Sequence, residues 1–348
     1  MVIVMQEHAE PEQIARVVAR VESLGYQAAV IRGELRTIIG VKGDIRPDGG
    51  LERLAQLDGV ERTLRITKEY KEASREFHPL DTVVRVGDVE IGGPRIVVMA
   101  GPCAVESREQ LLETARGVKA AGFPILRGGA FKPRTSPYSF QGLMVEGLKL
   151  LAEARQETGL LVITEVMSEG DVADVADYAD ILQIGARTMH TFRLLEAVAD
   201  TGKPVLLKRG FHATIKEWLL AAEYILKRGN PQVILCERGI RSFDGEFTRN
   251  VLDLTAVQVA KHESHLPVLV DPSHGTGQRH LVIPMAKAAI AAGADGLIIE
   301  SHPNPAEALS DGAQSLPAAQ LPHLAAEIER IAQAMDRSIY PLRVPAGV

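Results

Sequence analysis

The sequence predicts an α/β protein: a (β/α)8 TIM barrel preceded by a small N-terminal βαββαβ ferredoxin-like domain. Three observations predict it. From Pro94 onward, short continuous apolar runs alternate with helical stretches, as in parallel strands covered by helices. Eight such units follow one another, which fits closure into a barrel better than an open sheet. No Gly-x-Gly-x-x-Gly follows the first run, which argues against a doubly wound dinucleotide fold.

Residues 1–68 form the first unit. Met1–Gln6 is a short apolar run that reads as a strand. Glu10-Pro11-Glu12 opens an amphipathic helix that reaches about Leu24 and is stopped by Gly25. Gln27–Ile31 and Thr37–Val41 are rich in β-formers, with Arg32-Gly33-Glu34 as the turn between them. Leu51–Leu57 is a short helix and Glu61–Thr67 a last strand, which gives a ferredoxin-like or ACT-like order. Residues 69–93 are expected to be a charged linker and then a hairpin, Thr82–Val86 and Val89–Ile91, turning at Gly87-Asp88.

The barrel occupies 94–348. Its strand-like runs are Ile96–Ala100, Pro124–Arg127, Leu160–Glu165, Ile181–Gly185, Pro204–Lys208, Val233–Glu237, Pro267–Val270 and Gly296–Glu300. Helical stretches such as Glu109–Ala121, Gly142–Thr158 and Ile215–Arg228 lie between them. The chain has 348 residues, 46% hydrophobic and 24% charged, with a net charge of −6, so no general affinity for nucleic acid or acidic membranes is expected. Two cysteines, Cys103 and Cys236, imply no disulfide framework and suit a reducing compartment. No signal peptide or bilayer-spanning run is read, so a cytoplasmic location is expected.

Loops at the carboxyl ends of barrel strands build the active site in this fold. Six cations fall there: Arg127, Lys132, Arg134, Arg187, Lys208 and Arg238. Like charges repel and each should stay hydrated, so packing alone does not explain their convergence. A ligand with several anionic groups does. A second subset, Cys103, His274, Glu300 and Asp311, combines sulfur, imidazole and carboxylate, a set suited to a divalent ion of the Mn, Co, Fe or Zn class. These residues are far apart in sequence, so the inference depends on barrel closure. Taken singly, a cysteine is more often a buried small hydrophobe; Cys236 reads as core, and His78 and His265 as surface or packing residues.

Taken in order, these motifs resemble the 3-deoxy-D-arabino-heptulosonate-7-phosphate (DAHP) synthases. They are Ala-Gly-Pro-Cys103, Arg127-Gly-Gly-Ala-Phe-Lys132-Pro-Arg134-Thr135, Gln183-Ile-Gly-Ala-Arg187, Lys208-Arg209-Gly, Cys-Glu237-Arg238-Gly, Asp271-Pro-Ser-His274 and Ala-Leu-Ser-Asp311-Gly. The likeness spans about residues 78–336, and the short N-terminal domain resembles the regulatory domain of one subgroup. The resemblance implies condensation of phosphoenolpyruvate with erythrose 4-phosphate, the first step of the shikimate pathway. It implies Cys103, His274, Glu300 and Asp311 as metal ligands, and Arg187, Lys208 and Arg238 at the phosphate of phosphoenolpyruvate. It further implies Arg127 and Lys132 near the carboxylate, and Arg134 and Thr135 at the erythrose phosphate. Lys132 and Glu165 are the candidates for proton transfer. Feedback by tyrosine or phenylalanine and a homotetramer are the expected partner relationships. Two loops depart from the family pattern: Thr188–Phe192, and Phe211-His212, where Met-Ser is frequent.

The nearest rival is the related synthase that makes 3-deoxy-D-manno-octulosonate 8-phosphate from arabinose 5-phosphate. That family reads Lys-Ala-Asn-Arg where this chain reads Lys132-Pro-Arg134-Thr135. A non-catalytic amino-acid sensor is the alternative from another class; a complete set of metal-type ligands argues against it.

Overall fold

A computed structural model describes residues 1–33, 36–43, 51–64, 68–132, 136 and 138–341. The chain divides into two units. The first is Met1–Asp81 together with Glu263–His265; the second runs from Thr82 to His262 and from Leu266 onward.

In the first unit, β1 (Val2–Met5), β2 (Gln27–Arg32), β3 (Thr37–Lys42) and β4 (Val60–Leu64) form an antiparallel sheet in the order β2-β3-β1-β4. Helix α1 (Pro11–Ser23) begins where the Glu10 N–H donates to the Gln13 side chain at 2.8 Å. Its Val17 and Val21 are buried against Ile3, Met5 and Ile39 on one sheet face. The second helix is not α-helical: Leu51–Gln56 is a 3-10 stretch. A segment held between Gly49-Gly50 and Asp58-Gly59 is too short to repay α-helix nucleation. The last strand ends at Leu64 among the described residues; 65–67 lie outside them.

By its contacts, the first compact unit reaches beyond residue 68. Residues 69–81, expected as linker, pack in the first unit. Phe77 covers Val2 and Val4 on the sheet face opposite α1, and its ring occupies the space over Gly40, where an added Cβ would come within 2.4 Å. The Tyr70 hydroxyl donates to Glu263 at 2.6 Å, Ser74 bridges Ser264, and His78 stacks on His265 at 4.2 Å.

His265 is buried, with Nε2 2.8 Å from the Glu72 carbonyl. Burial, reinforced by His78, holds its pKa down at about 4. An unfolded histidine titrates near 6.5, so between those values only the unfolded chain gains the proton. The stability is therefore complete above pH 6.5 and is lost as pH falls towards 4, by roughly 3 kcal/mol. Urea titrations at pH 7.5 and 4.5 are expected to show this loss in the native chain and a smaller one in His265→Asn. An equal loss in both would refute it.

In the second unit, β5 (Val84–Val86) and β6 (Val89–Ile91) form the expected hairpin. The barrel strands are β7 (Arg95–Gly101), β8 (Ile125–Arg127), β9 (Leu161–Val166), β10 (Ile181–Ile184), β11 (Val205–Lys208), β12 (Val233–Glu237), β13 (Val268–Val270) and β14 (Gly296–His302). Each pairs in parallel with the next, and β14 pairs back onto β7 with Gly296 opposite Val97, which closes the barrel. The strands read as continuous apolar runs because both faces are buried. One face meets α2 (Arg108–Ala120), α3 (Val145–Thr158), α4 (Val172–Tyr178), α5 (Phe192–Asp200), α6 (Ile215–Lys227), α7 (Leu254–Glu263) and later helices.

The other face fills the barrel. Met99, Ile163, Leu206, Ile234, Cys236 and Leu269 pack there, joined by Val84, Val86, Val89 and Ile91 of the hairpin. Each such side chain is worth about 1.5–3 kcal/mol in burial. Gly92, at the hairpin's end, lies against Pro267, which precedes β13, so the hairpin stops the amino-terminal end of the barrel. The polar residues are left to the carboxyl end. No helix among the described residues is long and apolar enough to cross a membrane.

Candidate active site

The carboxyl ends of the strands carry the chemistry-bearing side chains. Cys103 follows β7, Arg127 ends β8, Glu165 is the second-last residue of β9, Lys208 ends β11, Arg238 follows β12, and Glu300 lies in β14. His274 sits in α8 (Pro272–Thr276), a short helix whose start is capped by Asp271 accepting from the His274 N–H at 2.9 Å. Gly101 lets β7 turn here: its φ is +151°, and a Cβ would lie 2.0 Å from the Arg127 carbonyl oxygen.

Cys103, His274, Glu300 and Asp311 each offer a ligand atom within 4.8 Å of the others, the one group among the described residues that could hold a metal ion. The separations from His274 Nε2 to Glu300 Oε1 and from Cys103 Sγ to Asp311 Oδ2 are both 3.2 Å. Ligands at about 2.0–2.3 Å from one ion make edges of this length. Burial lowers the pKa of His274, against the pull of Asp271 and Glu300. Nδ1 lies 2.6 Å from Asp271 Oδ2 and Nε2 3.2 Å from Glu300 Oε1, so a ring that donates from Nδ1 to Asp271 would turn an Nε2 lone pair towards a carboxylate oxygen. A cation resolves that contact between acceptors; the donor set and its tautomer fit a divalent ion.

The carboxylates are ready as anions. Burial raises the pKa of Glu300, but His274 and Arg127 outweigh it and hold the group below its ordinary range. Asp311 is likewise held low by His274 and Arg249 against burial. Cys103 is the opposite case: burial and Glu300 push its thiol up to about 12, so metal binding must displace the proton. Asp311 has a φ of +53°, an uncommon left-handed conformation that costs about 1–3 kcal/mol in a non-glycine residue. Arg249 at 3.1 Å and the Ser315 hydroxyl on its carbonyl at 3.1 Å hold it there.

The expectation that the cations stay hydrated does not hold. Arg127 and Lys208 are buried and already paired, with Glu300 at 2.8 Å and Asp271 at 2.6 Å. Strand pairing brings acids to the same layer, so these two charges are compensated within the barrel. Lys132 lies 3.1 Å from Cys103 Sγ and 3.0 Å from its carbonyl oxygen. Burial lowers its pKa, but Cys103 and Glu165 outweigh that and leave the group raised and charged. Arg187 and Arg238 have no acid in ion-pair reach among the described residues, and Arg238 Nη1 is buried without a partner. Arg134 and Thr135 lie outside the described residues. Cys236 is core, as expected.

Some site residues escaped sequence reasoning. Asp271 was part of a motif, but its role as the anchor of both His274 and Lys208 was not seen; its spacing of three from His274 was the available signal. Gln314 donates to Glu300 Oε2, and Gln183 donates to Glu165 at 3.0 Å. Gly185 leaves room for Glu165, since a Cβ would lie 2.0 Å from its oxygen. Sequence gave no signal for Gln314.

Residues 68–337 match the DAHP synthetase I family, and residues 1–68 match the DAHP synthase ferredoxin-like domain. The chain belongs to the DAHP synthetase I family. It is 51% identical to the phospho-2-dehydro-3-deoxyheptonate aldolase of Thermotoga maritima over 96% of this chain and 98% of that one. A crystal structure of that DAHP synthase superposes with a TM-score of 0.77 at 50% identity, covering 97% of this chain and 98% of the other. A truncated form covers 77% of this chain and 98% of its own, with a TM-score of 0.72. The 2-dehydro-3-deoxyphosphooctonate aldolase of Acidithiobacillus ferrooxidans is more distant, at 34% identity over 71% of this chain and 93% of its own. The activity is therefore that of a DAHP synthase, a transferase of aromatic biosynthesis, and the octulosonate reading is the weaker one.

Proposed function

We propose that Cys103, His274, Glu300 and Asp311 hold the divalent ion of this DAHP synthase. Arg187, Lys208 and Arg238 bind the phosphate of phosphoenolpyruvate, and Arg127 and Lys132 lie at its carboxylate. Arg134 and Thr135 bind the phosphate of erythrose 4-phosphate. The observation that carries the reading is the gathering of four ligand atoms within 4.8 Å, together with a buried guanidinium, Arg238, that has no acid partner among the described residues.

The reaction joins two anions. The enol carbon of phosphoenolpyruvate forms a bond to the aldehyde carbon of erythrose 4-phosphate; water adds at C2, and phosphate leaves with cleavage of its C–O bond. When bound, a divalent ion of the Mn, Co, Fe or Zn class supplies Lewis acidity towards an aldehyde oxygen. The guanidiniums hold the phosphate in bidentate contacts, which fixes the enol face and turns a repelled encounter into a near-attack arrangement. Lys132 remains charged beside Cys103 and carries a proton to the oxygen that becomes a hydroxyl. Glu165, oriented by Gln183, accepts the proton released by the attacking water.

Phosphate release with erythrose 4-phosphate and arabinose 5-phosphate, measured side by side, tests the substrate. The four-carbon aldose is expected to give the higher kcat/KM by about a hundredfold or more, the range that a site matched to one substrate's polar groups reaches. A higher value with the five-carbon aldose overturns the assignment.

Tyrosine or phenylalanine acts through the N-terminal unit of a homotetramer in the cytoplasm. The effector is expected to inhibit the full chain and not one beginning at Thr82, with a coupling of about 1–3 kcal/mol. Full-length protein that ignores both amino acids assigns the unit a purely structural role.

A further inference from the structure

Arg187, Arg238 and Arg241 come from the loops after β10 and β12, yet their guanidinium carbons lie 5.3, 4.6 and 5.6 Å from the centroid of one ring, Phe211. Arg127 and Lys208 have carboxylate partners; these three have none in ion-pair reach among the described residues. Arg187 and Arg241 are exposed and keep their hydration, but Arg238 is buried and needs a partner other than an acid. The face of an aromatic ring carries partial negative charge and attracts a cation within about 6 Å without neutralising it.

The loop that presents the ring is itself fixed. The Gly210 N–H reaches Met189 Sδ at 3.1 Å, and the Phe211 carbonyl accepts from the Arg241 N–H at 2.9 Å. The ring is thereby pinned from the strand loop on either side. A carboxylate in its place would pair with the guanidiniums and compete with an incoming phosphate. The aromatic face holds them loosely enough to be surrendered to a dianion.

We propose that Phe211 is a positioning residue for phosphoenolpyruvate, gathering Arg187, Arg238 and Arg241 into one acid-free phosphate site. This rests on the reading of Arg187 and Arg238 as phosphate ligands. It also adds Arg241 to that site and makes the ring's electrostatics, not its bulk, the property that matters.

The test measures KM for each substrate, kcat, and competitive inhibition by inorganic phosphate in the full-length metal-loaded enzyme. Phe211→Leu is expected to raise KM for phosphoenolpyruvate about tenfold, within the range for a desolvated cation–aromatic contact such as the one buried Arg238 makes. Inhibition by phosphate should weaken in parallel, and KM for erythrose 4-phosphate should change little. Mono-, di- and trifluorophenylalanine at position 211 keep the ring's shape while draining its face of charge, so KM for phosphoenolpyruvate should climb stepwise with fluorination. Arg238→Ala serves as the separate check on the phosphate site. If it raises KM for phosphoenolpyruvate while fluorination has no effect, Phe211 is only packing and the proposal falls alone. If Arg238→Ala leaves that KM unchanged, the phosphate assignment falls and takes the proposal with it.

Discussion

Cys103→Ala is expected to lose metal-dependent turnover, with kcat down by about three orders of magnitude or more. That corresponds to the several kcal/mol a Lewis acid contributes to a transition state that gathers charge on oxygen. The thiol is fully buried and sits 3.2 Å from Asp311 and 3.1 Å from both Lys132 and Ser310, so it anchors the cluster from the β7 side. Alanine fits the same space without strain, which separates loss of a ligand from loss of fold. Elemental analysis of the purified variant should find metal content reduced relative to the native chain, while its circular dichroism is unchanged. Chelation of the native enzyme should abolish activity, and Mn or Co should restore it. Binding should also release protons, because a thiol raised to about 12 must give one up to ligate. Full activity in excess chelator, or in Cys103→Ala, would sink the metal assignment.

The barrel was legible because its strands are buried on both faces. All eight expected runs became strands, most with ends shifted by no more than a residue or two, since a continuous Val/Ile/Leu run bounded by Gly or Pro has few other uses. The proposed metal ligands stand out as residue types at strand ends, and closure of β14 on β7 brings Cys103 and Glu300 together. What was not legible was pairing. Sequence places Lys208 and Arg238 both at the carboxyl end of a strand, but only the register decides that Lys208 meets Asp271 while Arg238 meets a ring. The first unit's limit was hidden for a similar reason. Phe77 looks like part of a charged linker until the sheet's uncovered face is seen, and Glu263–His265 join that unit from nearly two hundred residues away.

Asp271→Asn is expected to weaken both halves of the site at once, because this carboxylate joins them. Its Oδ2 lies 2.6 Å from Lys208 Nζ and 2.6 Å from His274 Nδ1, and His274 Nε2 faces Glu300, which Arg127 pairs. Burial pushes the Asp271 pKa up, yet His274 and Lys208 outweigh it and hold the group well below the ordinary range, so it is an anion throughout. Asparagine retains the helix cap through its oxygen but places an amide N–H against Nδ1. That donor favours the other tautomer, with its proton on Nε2, which metal binding must then displace. Metal affinity is expected to fall about 10–100-fold, the usual cost of losing a ligand's hydrogen-bonded partner. Lys208, 5% exposed, is left buried without a counter-charge, and stability is expected to drop by about 3–5 kcal/mol. Lys208→Met alone should cost a similar amount by stranding the carboxylate. The double variant Lys208→Met/Asp271→Asn removes both charges, so its stability loss should be well short of the sum of the two. Its metal affinity should nevertheless stay as low as that of Asp271→Asn, because the tautomer remains wrong. Strictly additive stability losses, or metal affinity that recovers in the double variant, would show that Asp271 does not couple the two sites.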